Sequence, residues 1–274
     1  MDKKTSFVEH PETLLALQSG VLHQGAASVQ QLEQRSFNAW PASKNAIMGH
    51  WLLRSHHGYS KRANSANALQ PGASLNDQLL RHIEAWYARQ HLPCIFRLSP
   101  LADDSVDALL HADGYQLLEP SVFMQRPTNP VDSAWQPKPG IEFTADSQPS
   151  DLWVHGYSAA KHQTPAQLEA QRALLQSISA PCVYMTLFHE GQACAWGLAV
   201  LERVAVGLYE VLVRPGLRSS GLGHQLLCCL LKWACEQGAS HADLQVLNGN
   251  VPAQSLYSRL GFQTVYGYHY RIKR

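Results

Sequence analysis

The chain has 274 residues, 22 Lys and Arg against 21 Asp and Glu, a formal net charge of +1 and 45% hydrophobic residues. That length fits two domains of ordinary size or one large one, and this much apolar material with so little net charge excludes a disordered chain. Nucleic-acid binding is excluded as the main activity, because it rests on a surplus of Lys and Arg facing phosphates.

The opening stretch, MDKKTSFVEHPET, is charged with no apolar segment behind it and does not read as a secretory leader. The longest apolar run, residues 193–201, is far short of the roughly 20 residues that span a bilayer. A cytoplasmic protein with no membrane partner is expected. The six cysteines form no CxxC pair and read as reduced core thiols. The 14 histidines contain no HxxxH or HExxH, so no metal site is expected. Nothing in the sequence fixes an oligomeric state.

Helical periodicity first becomes clear at Leu75, Leu79, Ile83, Trp86 and Tyr87, which share one face. It returns at Leu222, Leu226, Leu230, Trp233 and Ala234, the same pattern shifted by 147 positions. Between 75–90 and 222–237 that offset gives six identities in 16 positions, against about one expected by chance from ordinary composition. Downstream, LLHADGY (109–115) lies over LYSRLGF (256–262), and an alternating stretch follows each, at 121–126 and 265–272. Two separated segments with one offset point to a duplicated unit. The halves are 1–126 and 141–274, joined by a Pro-rich connector at 127–140, with an edge strand near 141–144. In the second half, strands are predicted at 182–189, 193–202 and 205–213. A helix at 222–237, a strand at 242–246, a helix at 253–260 and a strand at 265–272 follow. This order describes a mixed α/β unit on a largely antiparallel sheet.

The segment VRPGLRSSGLGH (213–224) carries the chemistry. A strand ends, a Gly/Ser-rich turn follows, and a helix opens near Leu222. Free N–H groups in the first helical turn and the helix dipole make an anion site. Gly221 and Gly223 let a phosphate approach the backbone, and Arg218 adds fixed charge. No Gly-Lys-Ser/Thr follows, so this is not a P-loop, and the spacing does not fit a Rossmann fingerprint.

The downstream segment LQVLNGNVPAQSLYSRLGF (244–262) adds Asn250, Tyr257, Gly261 and Phe262. Together, V-x-P-x-x-R-x-x-G-x-G and N-x-x-A-x-x-L-Y-x-x-x-G-F resemble the signature of the GNAT superfamily of acyl-CoA-dependent acetyltransferases, over residues 180–274. Ser219 departs from the pattern, since the family usually has Gly after the Arg. The resemblance implies an α/β (α+β) fold of two GNAT-like domains, each a mixed, mostly antiparallel sheet flanked by helices. It also implies acetyl-CoA as co-substrate and no metal. Arg218 and the N–H groups of Ser219, Ser220, Gly221, Leu222, Gly223 and His224 would hold the pyrophosphate, and Leu212 and Val213 would pair with the pantetheine amides. Asn250 would contact the cofactor chain, and Tyr257 would protonate the leaving thiolate. The other reading of Tyr257 is core packing. Glu210 is the best general base for the attacking amine, and its other reading is a structural or solvent-facing carboxylate.

At the repeat offset, Arg218, Gly221, Gly223 and Tyr257 correspond to Pro71, Ser74, Asn76 and Leu110. The first half is therefore expected to be a degenerate copy that does not bind acyl-CoA productively. Its polar segment 61–65 reads either as an acceptor-pocket wall or as a plain loop. Trp153, His155, Tyr157, Tyr268 and His269 are acceptor candidates or ordinary core and surface residues. The leading expectation is an N-acetyltransferase acting on a primary amine of a small molecule. Acetylation of a protein or peptide amine, which calls for an open acidic or flat groove, and a non-catalytic acyl-CoA sensor are the alternatives.

Overall fold

A computed structural model describes residues 28–273, so the reading of the N-terminal leader falls outside the described residues. The elements, in chain order, are α1 (Val29–Ala39), β1 (Lys44–Met48), β2 (Trp51–Ser55), β3 (Ala66–Ala68), α2 (Asp77–Ala88), β4 (Cys94–Leu98), α3 (Ser105–Ala112), β5 (Gln116–Pro127) and α4 (Pro130–Ser133). The second half supplies β6 (Ile141–Asp146), α5 (Asp151–Lys161), α6 (Pro165–Gln176), β7 (Cys182–His189), β8 (Gln192–Glu202), β9 (Ala205–Val213), α7 (Leu222–Glu236), β10 (His241–Leu247), α8 (Val251–Arg259) and β11 (Gln263–Lys273).

All strands join one 11-stranded sheet in the order β1-β2-β3-β4-β11-β5-β10-β9-β8-β7-β6. Every pairing is antiparallel except β3 with β4 and β9 with β10, so each half has one parallel pair at the same place in its order. The closing strands are exchanged: β11 lies beside β4 of the first half, and β5 lies beside β10 of the second. The two closing strands pair with each other at the centre. The sheet is therefore continuous across both halves rather than two separate sheets.

Side-chain alternation along β7 explains how the second half is layered. Val183, Met185 and Leu187 join the core under α7 and α8, while Tyr184 joins the core of α5 and α6, where Trp40 and Ala63 of the first half also pack. A sheet covered on both faces reads as near-continuous apolar runs, as β8 does. In the first half the buried face of α2 centres on Leu80, Ile83 and Tyr87. Leu79 and Trp86, placed on that face by periodicity, pack at its margin.

The connector is docked rather than free. Trp135 packs on the second-half core, Lys138 N donates to Gln225 Oε1 at 3.1 Å, and Lys232 Nζ donates to the Trp135 carbonyl at 3.3 Å. Helix α1 was not expected from periodicity. A Ser28–Gln31 capping box opens it. It fastens to three strands through polar contacts: Glu33 with Arg97 of β4 and Tyr266 of β11, and Arg35 with Asp243 of β10.

Candidate active site

The site forms where β9 and β10 separate. Their parallel pairing runs from Ala205↔His241 to Leu208↔Leu244 and then stops, although β9 continues to Val213. Its other edge stays paired with β8, with Trp196 opposite Leu212 and Ala195 opposite Val213. Leu212 and Val213 therefore turn one edge of peptide groups toward the gap, where an extended ligand can add as a strand.

Glu210 sits at an irregularity in that strand. Between Trp196↔Leu212 and Leu198↔Tyr209 the register shifts, so Glu210 and Val211 face Gly197 alone, a bulge that re-aims a side chain. Glu210 takes φ +51° there, the left-handed region that non-glycine residues occupy only at a cost. Gly197 has its own reason to lack a side chain, since a Cβ would lie 2.8 Å from Leu230 Cδ1 of α7.

The bulge turns Glu210 into a cavity of about 780 Å³ between the two halves. Glu210 is 9% exposed through its side chain and meets Arg62 Nη2 at 3.2 Å. The Tyr157 hydroxyl donates to its other oxygen. Burial pushes the Glu210 carboxyl above the usual carboxylate range, and the Arg62 charge offsets only part of that.

Tyr257 of α8 lines the same cavity. Its ring packs edge-on against Phe262, and burial raises its phenol to about 12. Both readings of Tyr257 are physically present: the ring belongs to the core cluster and the side chain borders the cavity. Asn250 also lines the cavity, but its Oδ1 caps α8 by accepting from Ala253 N at 3.3 Å. Its amide nitrogen, which has no protein partner among the described residues, is left for a ligand.

At the end of β9, Arg218 is exposed and makes no ion pair among the described residues. Gly221 opens α7 with φ +87° and no side-chain cap, and a Cβ there would meet nothing within 4 Å. The first backbone bond into the helix is Gln225 N to Gly221 O at 3.2 Å, so the N–H groups of Leu222, Gly223 and His224 remain free for an anion. Gly223 serves packing as well, because a Cβ would come 3.2 Å from Leu256 Cδ2. Ser219 adopts φ +63°, which gives the family's preference for Gly at this place a backbone cause. Ser220 Oγ is tied to the Leu217 carbonyl at 2.6 Å. These donors, a fixed cation and open space at Gly221 fit a pyrophosphate.

In the first half the corresponding helix start is closed. Asn76 caps α2 by accepting from Leu79 N at 2.8 Å, and Leu110 is wholly buried. Lys61 and Arg62 instead line the shared cavity from a short 3-10 turn. Of the acceptor candidates, Tyr157 and Tyr268 border the cavity. Trp153 is core, its Nε1 held by the Met185 and Gly197 carbonyls. His155 is exposed beside Arg172, and His269 is held by Asp107. The sequence reading did not single out Tyr59, Glu119 or Lys161, which complete the wall.

A sheet that splays beside an uncapped helix start fits the GNAT fold, and the family and relatives of the chain make it an acyl-CoA-dependent N-acetyltransferase. Residues 26–271 match the family described as "Probable histone acetyltransferase Rv0428c C-terminal", and the chain belongs to that family. It is 26% identical over 247 residues to the uncharacterized N-acetyltransferase YobR of Bacillus subtilis, covering 90% of this chain and 99% of that one. A shorter stretch of 53 residues, 19% of this chain and 28% of the relative, is 42% identical to streptothricin acetyltransferase of Streptomyces lavendulae. In fold, the chain resembles a GCN5-related N-acetyltransferase from Kribbella flavida, with TM-score 0.69, 16% identity, and coverage of 90% and 96% of the two chains. It also resembles a tandem GNAT protein from the clavulanic acid biosynthesis pathway, with TM-score 0.60, 13% identity, and coverage of 95% and 91%. Among the described residues, no helix is long and apolar enough to cross a membrane.

Proposed function

We propose that the protein transfers an acetyl group from acetyl-CoA to a primary amine of a small molecule, with Glu210 as general base and Tyr257 as general acid. The observation that carries this reading is that both side chains border one cavity, at the point where β9 and β10 part. Arg218 and the free N–H groups of residues 219–224 hold the pyrophosphate, and Leu212 and Val213 pair with the pantetheine arm. Glu210 takes the proton from the acceptor's ammonium, directly or through water. The neutral amine then attacks the thioester carbonyl. As the C–S bond breaks, Tyr257 gives its proton to the sulfur, and the second proton shed by the nitrogen as it becomes an amide passes through solvent to restore the phenol. A carboxyl raised by burial suits the first transfer, and a phenol near 12 stays protonated for the last.

In this reading residues 1–126 and 141–274 are two GNAT-like units joined by 127–140, and only the second binds acyl-CoA. Calorimetry with acetyl-CoA is expected to give one site, weakened roughly tenfold or more in Arg218→Ala, and a second site, or one whose affinity that substitution leaves unchanged, overturns it. The family's description favours a second reading, acetylation of a histone or other protein amine. Against it, both carboxylates that border the cavity among the described residues are already paired, Glu119 with Lys61 at 2.7 Å and Glu210 with Arg62, so these residues offer no acidic track for a basic tail. Thiol release from acetyl-CoA, measured against a panel of small amines and a lysine-rich peptide, tests the proposal. Turnover on a small amine that is abolished in Glu210→Gln and Tyr257→Phe supports it, and turnover on the peptide alone overturns it.

A further inference from the structure

The half that lacks a cofactor loop nevertheless reaches the chemistry, through the segment after β2. Arg62 extends from it to the Glu210 carboxylate, 148 residues away in sequence. Its guanidinium lies 4.6 Å from the Trp40 ring centroid and 5.4 Å from that of Tyr209, contacts that fix the plane of the fork. The segment is itself rigidly built. Asn64 Oδ1 accepts from His56 N at 2.7 Å and Gly58 N at 3.1 Å, and its Nδ2 donates to the Tyr59 and Ser60 carbonyls at 2.7 and 2.8 Å. Arg54, 2% exposed, has no carboxylate partner among the described residues. It donates Nη1 to the Arg62 carbonyl at 2.9 Å and Nη2 to that of Phe37 at 3.1 Å. Two buried polar side chains are thus spent on holding one turn, and that turn ends at the carboxylate.

We propose that Arg62, delivered by the first half, is the positioning residue that aims the Glu210 carboxylate and sets the pH range in which it accepts a proton. The proposal rests on the reading of Glu210 as base and adds a reason for the first half to be kept. The titratable groups that face Glu210 are Arg62 and Tyr59 from this segment and Tyr157 from α5. Burial and the neighbouring Glu210 charge both raise Tyr59, so it stays neutral. The Lys61–Glu119 pair stands further along the wall and neutralises itself. Among the described residues Arg62 is therefore the one cation directly on the carboxylate, and without it the proton-bound form of Glu210 gains.

The test is the pH profile of kcat/KM for one acceptor, in wild type, Arg62→Gln, Arg62→Lys and Glu210→Gln. The acceptor's own ionisation is common to all four profiles, so only differences are read. In Arg62→Gln the acidic limb is expected to move up by about one pH unit, a roughly tenfold loss on that limb, with the alkaline plateau within a few-fold of wild type and KM for acetyl-CoA unchanged. Arg62→Lys is expected to restore part of the shift. An acidic limb that stays in place in Arg62→Gln, with activity lowered equally at all pH, overturns the proposal and leaves the base reading intact. If Arg62→Gln does not fold, Arg62→Lys decides alone, since a smaller shift in the same direction is expected and an unmoved limb overturns it. A Glu210→Gln enzyme that keeps wild-type activity and its limb defeats the base reading itself, and the proposal with it.

Discussion

The hydroxyl of Tyr157 donates to the Glu210 carboxylate oxygen opposite the one that Arg62 holds. The Glu210 carboxylate, the proposed base, is thus gripped by a donor from each half. A hydrogen bond to a charged group is worth about 1.5–3 kcal/mol, and it favours the ionised carboxylate. Its loss in Tyr157→Phe therefore favours protonation, and the active, ionised form appears only at higher pH. The acidic limb of kcat/KM is expected to move up by about 1–2 units. A profile that falls uniformly instead would place Tyr157 on the substrate and not on the base.

The phenol of Tyr257 is raised to about 12 by burial alone. As the proposed acid it acts in its protonated form, which persists up to that value, so Tyr257 should produce no alkaline loss of kcat below about pH 10. Tyr257→Phe is expected to lower kcat by about 10²–10⁴-fold, the usual contribution of a positioned acid, and to leave the Kd for acetyl-CoA within a few-fold. Stopped assays across the alkaline range, together with calorimetric binding, check both halves of this expectation.

The second half was legible in the sequence almost residue by residue because its signals are local. The strand read at 182–189 is β7, Cys182–His189, and the helix read at 222–237 is α7, Leu222–Glu236. Alternation and a Gly-marked helix start need no distant partner to be seen. Helix α1 escaped because its inward face carries Glu33, Arg35 and Ser36 beside Leu32, matched to polar groups on the sheet and not to an apolar stripe. The exchange of β5 and β11 left no local mark either, since both strands alternate equally well beside any neighbour. For the same reason Arg62 stood out only as part of a polar segment. Its partner Glu210 is supplied by the fold, and no spacing rule joins them.

Arg218 and Ser219 separate charge from backbone conformation at the proposed pyrophosphate loop. Arg218→Ala removes an exposed cation and should raise KM for acetyl-CoA roughly tenfold or more, the scale of a charge-assisted contact, with kcat at saturation little changed. Ser219→Gly relieves a left-handed residue at φ +63°, which costs a non-glycine about 1–2 kcal/mol, while the added freedom of the unfolded chain returns about 0.5–1 kcal/mol. The net expectation is a melting temperature up by about 2 °C, with KM within twofold of wild type. A lower melting temperature in Ser219→Gly would show that the serine side chain itself stabilises the loop.

Glu33 and Arg97 form the most deeply buried ion pair among the described residues, with side chains 1% and 3% exposed. Tyr266 donates to the same carboxylate, and the Arg97 guanidinium lies 3.8 Å from the Tyr268 ring centroid. Helix α1 is in this way fixed to β4 and β11, the junction where the exchanged strand enters the first half. Burial disfavours the Arg97 charge, and Glu33 together with the surrounding Tyr268, Tyr266 and Tyr270 more than restores it. Glu33→Gln leaves that charge buried without its counterion, a loss of about 3–5 kcal/mol. Replacing both members with apolar side chains of similar volume, as in Glu33→Leu with Arg97→Met, removes the uncompensated charge and should recover most of the loss. Urea unfolding of the two single variants and the pair measures the coupling. A double variant no more stable than Glu33→Gln would mean that the polar junction is needed to seat the exchanged strand and is not merely tolerated there.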